Sequence, residues 1–496
     1  MRVNRDWKPQ NFSRESGFAL LIALIALALL SVLGLYLSLA ATAEVRISDN
    51  YESYVQARAA ALAGLSHARA LMRGLRFDDL LQGPDGEHDM SAGYLAHART
   101  AASRTPIDWT VARMLDIQDP SAMLAGLADD GTMSTGENAA GNGVELIPRF
   151  GIAQAVKNPY GVGTVVVSRY FVKVSDNNGE ASEIASDPAN DPFHDGDGQI
   201  IVRSMGVAQT FREETQSGAR KNSLVVFEAR FKHMSMFELD SPLVVQGTGV
   251  ESSSADMFVG SLFSIQGGAA SYGISTIDTN NSDGVFPAQQ VTAHLTVQQG
   301  QNIQGTGKQP SVLDITSTIS TNADKKLLLD GAYVSNFMAQ TVPRFADSTY
   351  FGSQTWMGAA PAQLGHYDPF QPQNAPGQTP KMTYVNGDLS VDGNLDGAGL
   401  LVVTGKFTAT GNFTFCGLIL VIGSGELDIG GTCHVTGAVY VARLSGMGAG
   451  ASWGVSKLTV KDNIRLDYDK EAVKMAVSLL PPLQLSFREI TSIIDP

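Results

Sequence analysis

Val385-Asn-Gly-Asp-Leu-Ser-Val-Asp-Gly-Asn-Leu-Asp-Gly-Ala-Gly-Leu-Leu-Val-Val-Thr-Gly405 places glycine every six residues, at Gly387, Gly393, Gly399 and Gly405, and the series runs on through Gly411, Gly417 and Gly423. Two residues after each of the first six glycines stands a large apolar side chain: Leu389, Leu395, Leu401, Phe407, Phe413 and Ile419. The register then shifts by two, with Gly425, Gly431 and Gly437 followed by Leu427, Cys433 and Val439. Every odd-numbered position from 385 to 441 is glycine or apolar. A two-residue period is a strand signal, yet a single strand averages about five residues. Short strands joined by corners that preserve side-chain parity satisfy both facts. A β-solenoid is built this way, with glycine at tight corners and the odd side chains stacked inward. A hairpin meander is the rival, because Asn386-Gly387, Asp392-Gly393 and Asp396-Gly397 suit type I′ turns. Turns six residues apart leave almost no strand between them, which favours the solenoid.

The even positions are mostly polar. The exceptions, Leu400 and Val402, Leu418 and Leu420, then Ala438 and Tyr440, recur every 18 to 20 residues and predict one apolar outer wall. Such a stripe calls for a cover. Residues 470–480 read as a helix with Val473, Met475, Ala476 and Leu479 available for it; a partner protein is the alternative. Upstream, residues 343–380 form a connector containing Pro and Gln, preceded by a helical stretch at 325–340, and residues 243–315 show short strands separated by Gly, Ser and Asn. Residues 164–174, 199–203 and 223–231 are rich in β-branched and aromatic residues and read as strands. Residues 82–150 look irregular, opening on the turn Gly83-Pro84-Asp85-Gly86.

The N-terminus carries the second decisive stretch. Arg2, Arg5, Lys8 and Arg14 precede Gly17-Phe18, and residues 18–43 contain no charge. That run exceeds the about 20 apolar residues needed to cross a bilayer, and the basic flank predicts a cytoplasmic N-terminus. A secretory signal peptide has a shorter apolar core of about 7–15 residues; a plain single-pass anchor is the simpler alternative. Beyond Glu44 the chain turns amphipathic without a break signal, with Ile47, Tyr51, Tyr54, Val55, Ala59, Leu62, Leu65, Met72 and Leu75 spaced mostly three or four apart. One helix over 18–81 would span about 95 Å, half in lipid and half laid on a soluble domain.

A glycine placed just before an apolar helix, after a short basic leader, resembles the prepilin cleavage site of type IV pilins and type II secretion pseudopilins. The resemblance implies removal of the leader after Gly17 by a prepilin peptidase, leaving Phe18 as the mature N-terminus. Major pilins carry Glu five residues into the mature chain; the matching position here is Ile22. An apolar residue there asks for no amine to neutralise it, as a buried carboxylate would. This resembles the PilX-type minor pilins and the K-type pseudopilin. The segment Arg58-Ala-Ala-Ala-Leu-Ala-Gly-Leu-Ser-His-Ala-Arg69 resembles the helix that follows in that family, with Arg58 and Ala59 replacing the usual acidic start. The glycine-spaced segments at 399–405 and 413–423 also resemble the C-terminal part of large pilus assembly proteins of that type.

The chain has 496 residues and a formal net charge of −14. Phosphate binding wants clustered Lys and Arg, so nucleic acid is not an expected partner. Gly450-Ala-Ser452-Trp-Gly454 matches a nucleophile-elbow string, but no histidine follows it and a strand-like run does. Asp388, Asp392 and Asp396 face outward, and their neighbours one repeat on are Lys406, Thr410 and Thr414, so no stacked carboxylate cluster forms. Among Asp187, Asp191, Asp195 and Asp197, the pair Asp195 and Asp197 are the candidate calcium ligands; an acidic surface turn is the alternative, and no other cofactor is expected. Cys416 and Cys433 have opposite parity, which predicts two free thiols.

The expected fold is α+β, with a long transmembrane pilin-type helix, a β-rich pilin-like head and a C-terminal β-solenoid-like domain. Its divisions are a leader (1–17), a stem (18–81), a head with an irregular insertion (82–240), a β-rich middle region and connector (241–380), the glycine-hexad solenoid (381–450), and a strand and helix covering it (451–496). The expected function is non-enzymatic: a minor pilin-like assembly component of a type IV pilus, tip-located and priming assembly. The expected partners are other pilins through the N-terminal helix, the prepilin peptidase, the inner membrane, and a tip adhesin or surface ligand. The expected location is the inner membrane with a periplasmic domain, then the pilus. A type II secretion pseudopilin and a membrane-anchored solenoid adhesin or polysaccharide-acting protein are the alternatives.

Overall fold

The structure is a computed structural model. It describes residues 14–74, 77, 117, 152–157, 164–176, 198–209, 222–252, 256–280, 282–357, 364–368 and 377–490. A single helix, Arg14–Leu71, opens it, rich in Ala and Leu and free of proline. At 58 residues it is about 87 Å long at the standard rise. It begins upstream of Phe18 and ends at Leu71; residues 75, 76 and 78–81 of the expected stem lie outside the described residues. Gly74, at φ +83°, lies just past its end, a position where glycine commonly terminates helices.

The stem lies on a five-stranded antiparallel sheet. Four strands come in chain order, Ile152–Lys157, Thr164–Asp176, Gln199–Ala208 and Ser223–Lys232. The fifth, Leu483–Ile490, comes from the C-terminus and pairs antiparallel with Ser223–Lys232. The sequence reading had assigned residues 451–496 wholly to the solenoid and its cover. Lys232 and Leu483 are register partners. The chain therefore leaves the sheet and returns to it at adjacent points, and the intervening residues are an insertion into the head. Across this seam Glu228 accepts from Arg203 at 2.7 Å and from Arg488 at 2.8 Å, a cross-strand triad that fixes the late strand's register.

Most of the insertion is β-rich, and its sheets are parallel. Thr379–Asn386, Asn394–Val403, Asn412–Gly423 and Thr432–Ser445 lie side by side. Val385 faces Val403, which faces Val421, an offset of 18 residues; Phe413 faces Cys433, an offset of 20. Leu389–Asp392, Phe407–Ala409, Glu426–Ile429 and Val455–Lys461 form a second parallel sheet. Hairpins would pair these strands antiparallel, so the meander is excluded. The odd-numbered side chains, among them Leu389, Leu395, Phe407, Phe413, Ile419 and Leu427, share one core.

The even-numbered Leu400, Val402, Leu418, Leu420, Ala438 and Tyr440 form a second core outside the wall. The helix Lys470–Ser478 covers it with Val473, Ala476 and Val477, capped by Asp469, whose carboxylate accepts from the Ala472 amide. The helical stretch before residue 345 completes the cover with Leu328, Val334, Phe337 and Val342. The expected division at 380/381 is crossed by pairing: Leu243–Gly247 runs parallel beside Val439–Ala442, with Ile274–Asp278 and then Val312–Asp314 beyond it. Those early strands lack the hexad, so nothing local ties them to the repeats.

Glycine makes the repeats possible. Gly399, Gly417 and Gly437 are in register with φ of +117°, +134° and +132°. A Cβ on Gly417 would strike the Gly399 carbonyl oxygen, and one on Gly437 the Gly417 carbonyl oxygen. On the outer wall, Lys406 reaches Asp428 at 3.2 Å and Glu426 at 3.4 Å, and Lys461 reaches Asp428 at 2.7 Å. Burial pushes the Asp428 carboxyl up; the hydrogen bonds from Lys461 and Lys406 more than reverse this and leave it below its ordinary value.

Gly417→Ala is expected to destabilise the chain by about 2–4 kcal/mol, because strain and a backbone clash coincide. Gly450→Ala is the control, with open space around it and no left-handed conformation; its effect should stay within about 0.5 kcal/mol. Thermal melting in detergent compares the two. A second expectation concerns pH. Asp428 has a depressed folded pKa, so its contribution is present above the unfolded value of about 3.9 and is lost as pH falls through the folded value. Melting temperatures of wild type and Asp428→Asn should differ near neutral pH and converge as pH falls through the depressed folded value. A gap that persists in acid would refute this ion-pair account.

Candidate functional site

The features that set this chain apart sit along the stem. Residues Phe18–Ala70 form one helix long and apolar enough to cross a membrane, and none of its most apolar window is buried within the chain. Phe18 is 68% exposed and Ile22 52%. Leu24, Leu27, Leu30, Leu35 and Leu39 are exposed in the same way. Two hydroxyls on this segment close on the helix's own backbone: Ser31 donates to the Leu27 carbonyl at 2.8 Å and Thr42 to the Ser38 carbonyl at 2.7 Å. Polar groups satisfied internally are what a hydrocarbon environment requires. The segment presents apolar surface on all sides, as a buried or lipid-embedded helix does.

Further along the same helix the environment changes. Ala57, Ala60, Ala61, Leu65, Ala68 and Met72 are buried against Tyr170, Val172, Ile200, Val202, Phe227 and Phe231 of the sheet. Small residues on both sides bring the backbones together. A Cβ on Gly206 would run into the Ala57 carbonyl, and one on Gly64 into the Ser204 hydroxyl. Polar contacts fix the rotation of the rod: Ser53 bonds Ser223 at 2.6 Å, Tyr54 donates to Glu489 at 3.0 Å, and His67 meets the Tyr170 hydroxyl at 3.1 Å. Arg58 lies 5.7 Å from the Phe227 ring centroid, a cation–π contact where the family resemblance expected an acid. Ile47, Tyr51 and Val55, further up the rod, stay exposed.

Of the residues singled out from sequence, Gly17 and Phe18 fall inside the stem helix and Ile22 lies one turn further on. Asp195 and Asp197 lie outside the described residues. Among the described residues no group of three or more His, Cys, Asp or Glu is placed to hold a metal ion. Asp388 accepts from the Lys406 amide at 2.8 Å, a corner contact between repeats. Ser452 sits on a short antiparallel strand against Leu444 and Ser445, its hydroxyl 3.2 Å from that of Ser445, and a strand follows it where a nucleophile elbow needs a helix. His434 is engaged with Asp467 at 3.0 Å.

Both cysteines are free and buried. Cys433 belongs to the inner core, and Cys416 lies outside the wall near Ala472 of the covering helix, as their opposite parity predicts. Burial pushes both thiols up to about 12, so neither is a ready nucleophile. The sequence reading missed the late strand that completes the head, and the backbone contact at Gly206. A glycine inside the strand-like run Ser204-Met-Gly-Val-Ala208 was the available signal for that contact. No protein family, curated protein or solved structure matches the chain.

Proposed function

We propose that this chain is a membrane-inserted, minor-pilin-like assembly component, and that its parallel repeats form a β-solenoid carried outward by the stem. One observation carries the reading. A single unbroken helix is wholly exposed and apolar over its first half, then buries an alanine and glycine face on an antiparallel sheet over its second. A plain anchor has no need of that continuity. A rod that must stand in lipid and later dock laterally among similar rods does, because its rotation relative to the head has to be fixed. The exposed face of Ile47, Tyr51 and Val55 extends the apolar surface beyond the span.

In this reading the leader is removed after Gly17, the basic flank stays cytoplasmic, and the soluble part lies in the periplasm until the subunit enters a filament. Ile22 suits a subunit that seats first, since no neighbouring amine is required to neutralise it. The covered cores, the buried thiols and the unassembled Ser452 favour a structural role over catalysis. The same stem would serve a type II secretion pseudopilin.

N-terminal sequencing of protein extracted from cells that possess the processing peptidase is expected to begin at Phe18; a start at Met1 would reduce the chain to a tethered protein. Ile22→Glu places a carboxylate in the span, which is costly without a partner. It is expected to lower filament number and displace the subunit from the tip. Unchanged incorporation and tip position, read by immunogold labelling, would remove the priming role.

A further inference from the structure

A cavity of about 770 Å³ opens between the stem and the helical stretch that covers the repeats. That volume falls within the range of small-molecule sites. The chain as a whole carries a net charge of −14, yet the cavity is lined by Arg69, Arg73 and Arg344, and its described lining contains no acid. Arg73 is engaged, by Asp347 at 3.1 Å and by the Leu479 carbonyl at 3.0 Å. Arg69 and Arg344 have no ion-pair partner among the described residues, and the Arg69 Nε is buried without a hydrogen bond. A guanidinium nitrogen withdrawn from water and left unsatisfied is costly, which marks a place for an acceptor the chain itself does not supply.

The wall facing these arginines is unusual. Residues Phe337–Thr341 form a π-helical turn between two short α-helical pieces. Such turns are rare and concentrate at functional sites. Here the turn contributes Phe337, Gln340 and Thr341 to the lining, and its neighbours add Tyr333, Asn336 and Phe345. The Arg344 guanidinium lies 5.9 Å from the Phe345 ring centroid, within cation–π range. Aromatic faces, side-chain amides and unpaired guanidiniums together form a specific chemical set. Rings accept the C–H face of a sugar, amides accept and donate to hydroxyls, and the planar guanidinium pairs bidentately with a carboxylate. Most of the wall is helical; Arg73, Met234, Pro481 and Leu483 are the exceptions.

We propose that this cavity binds a carboxylate-bearing saccharide of about disaccharide size, with Arg69 and Arg344 on the carboxylate and Tyr333 and Gln340 on the ring. The site stands on the cavity alone and does not depend on the filament reading.

The test is calorimetric titration of the full-length chain in detergent with digalacturonate, using the neutral digalactoside, sulfate and a glutamate-rich peptide as comparators. Digalacturonate is expected to bind and the neutral sugar not to, with Arg344→Gln and Gln340→Ala each weakening binding by about tenfold at unchanged melting temperature. Both residues are exposed on the helical wall, so their substitution leaves the core intact. Arg69→Gln adds the stem side of the site. Absence of digalacturonate binding overturns the proposal. So does sulfate binding of equal strength, which would make this a bare anion site, or tighter binding of the peptide, or affinity unaffected by Arg344→Gln and Gln340→Ala.

Discussion

The contact on which the repeats depend is a glycine lying directly on the carbonyl of the glycine one repeat before it. At Gly399, Gly417 and Gly437 the backbone takes a positive φ within its strand, and no space remains for a side chain. Side-chain parity survives it. Leu395 and Leu401, on either side of Gly399 in the strand Asn394–Val403, therefore share one core. A Cβ at such a position would either push two strands apart or rotate the following strand, and a one-residue slip sends every inward side chain to the outer face. The hexad is thus a backbone requirement first, and the apolar pattern follows from it.

The stem poses the opposite problem. Its first half has no sequence partner within the chain, and its second half has many. The two halves are one helix because nothing interrupts it: no proline occurs, and the glycines at Gly34 and Gly64 lie in helix whose other residues are strong helix formers. Gly34 has no neighbour within 4 Å, whereas Gly64 sits against Ser204 and Tyr170. The same residue type is spare surface in one place and a close contact in the other. The close fit between Gly206 and Ala57 ties the second half of the rod to the sheet.

What could be read from the chain alone were features whose signal is local. The parity of residues 385–441 identified the inward and outward positions, including the opposite placement of Cys416 and Cys433. The apolar even positions predicted a cover, and the helix Lys470–Ser478 provides part of it. Gly74, at φ +83°, falls within the stretch 18–81 read as one helix. Contacts between distant segments were not legible. Leu483, Leu485 and Phe487 alternate as a strand should, but nothing near them names Ser223–Lys232 as the partner. Likewise Leu243–Gly247 carries no glycine repeat, yet pairs with Val439–Ala442 nearly two hundred residues later. The cavity arginines lie far apart in sequence, two on the stem and one beyond residue 340, and only the fold brings them together.

The late strand gives the insertion its meaning. Because Lys232 and Leu483 are register partners, entry and exit of the inserted segment are separated by about one strand spacing, near 4.8 Å. An insertion with adjacent ends can be large without straining its host. The head's sheet, however, lacks its edge until the last strand arrives. Glu228 keeps its bond to Arg203 in the meantime, but its second oxygen and the outer edge of Ser223–Lys232 wait for Arg488 and its strand. The outer edge of Ser223–Lys232 is paired only once Leu483–Ile490, which follows the whole inserted segment, has been made, and that last strand then forms the edge of the sheet. Completion of the head, and with it the contact from Tyr54 on the stem to Glu489 on the final strand, therefore reports that the rest of the chain is present. A subunit cut short within its repeats keeps its apolar rod but leaves Ser223–Lys232, rather than Leu483–Ile490, as the edge of its sheet.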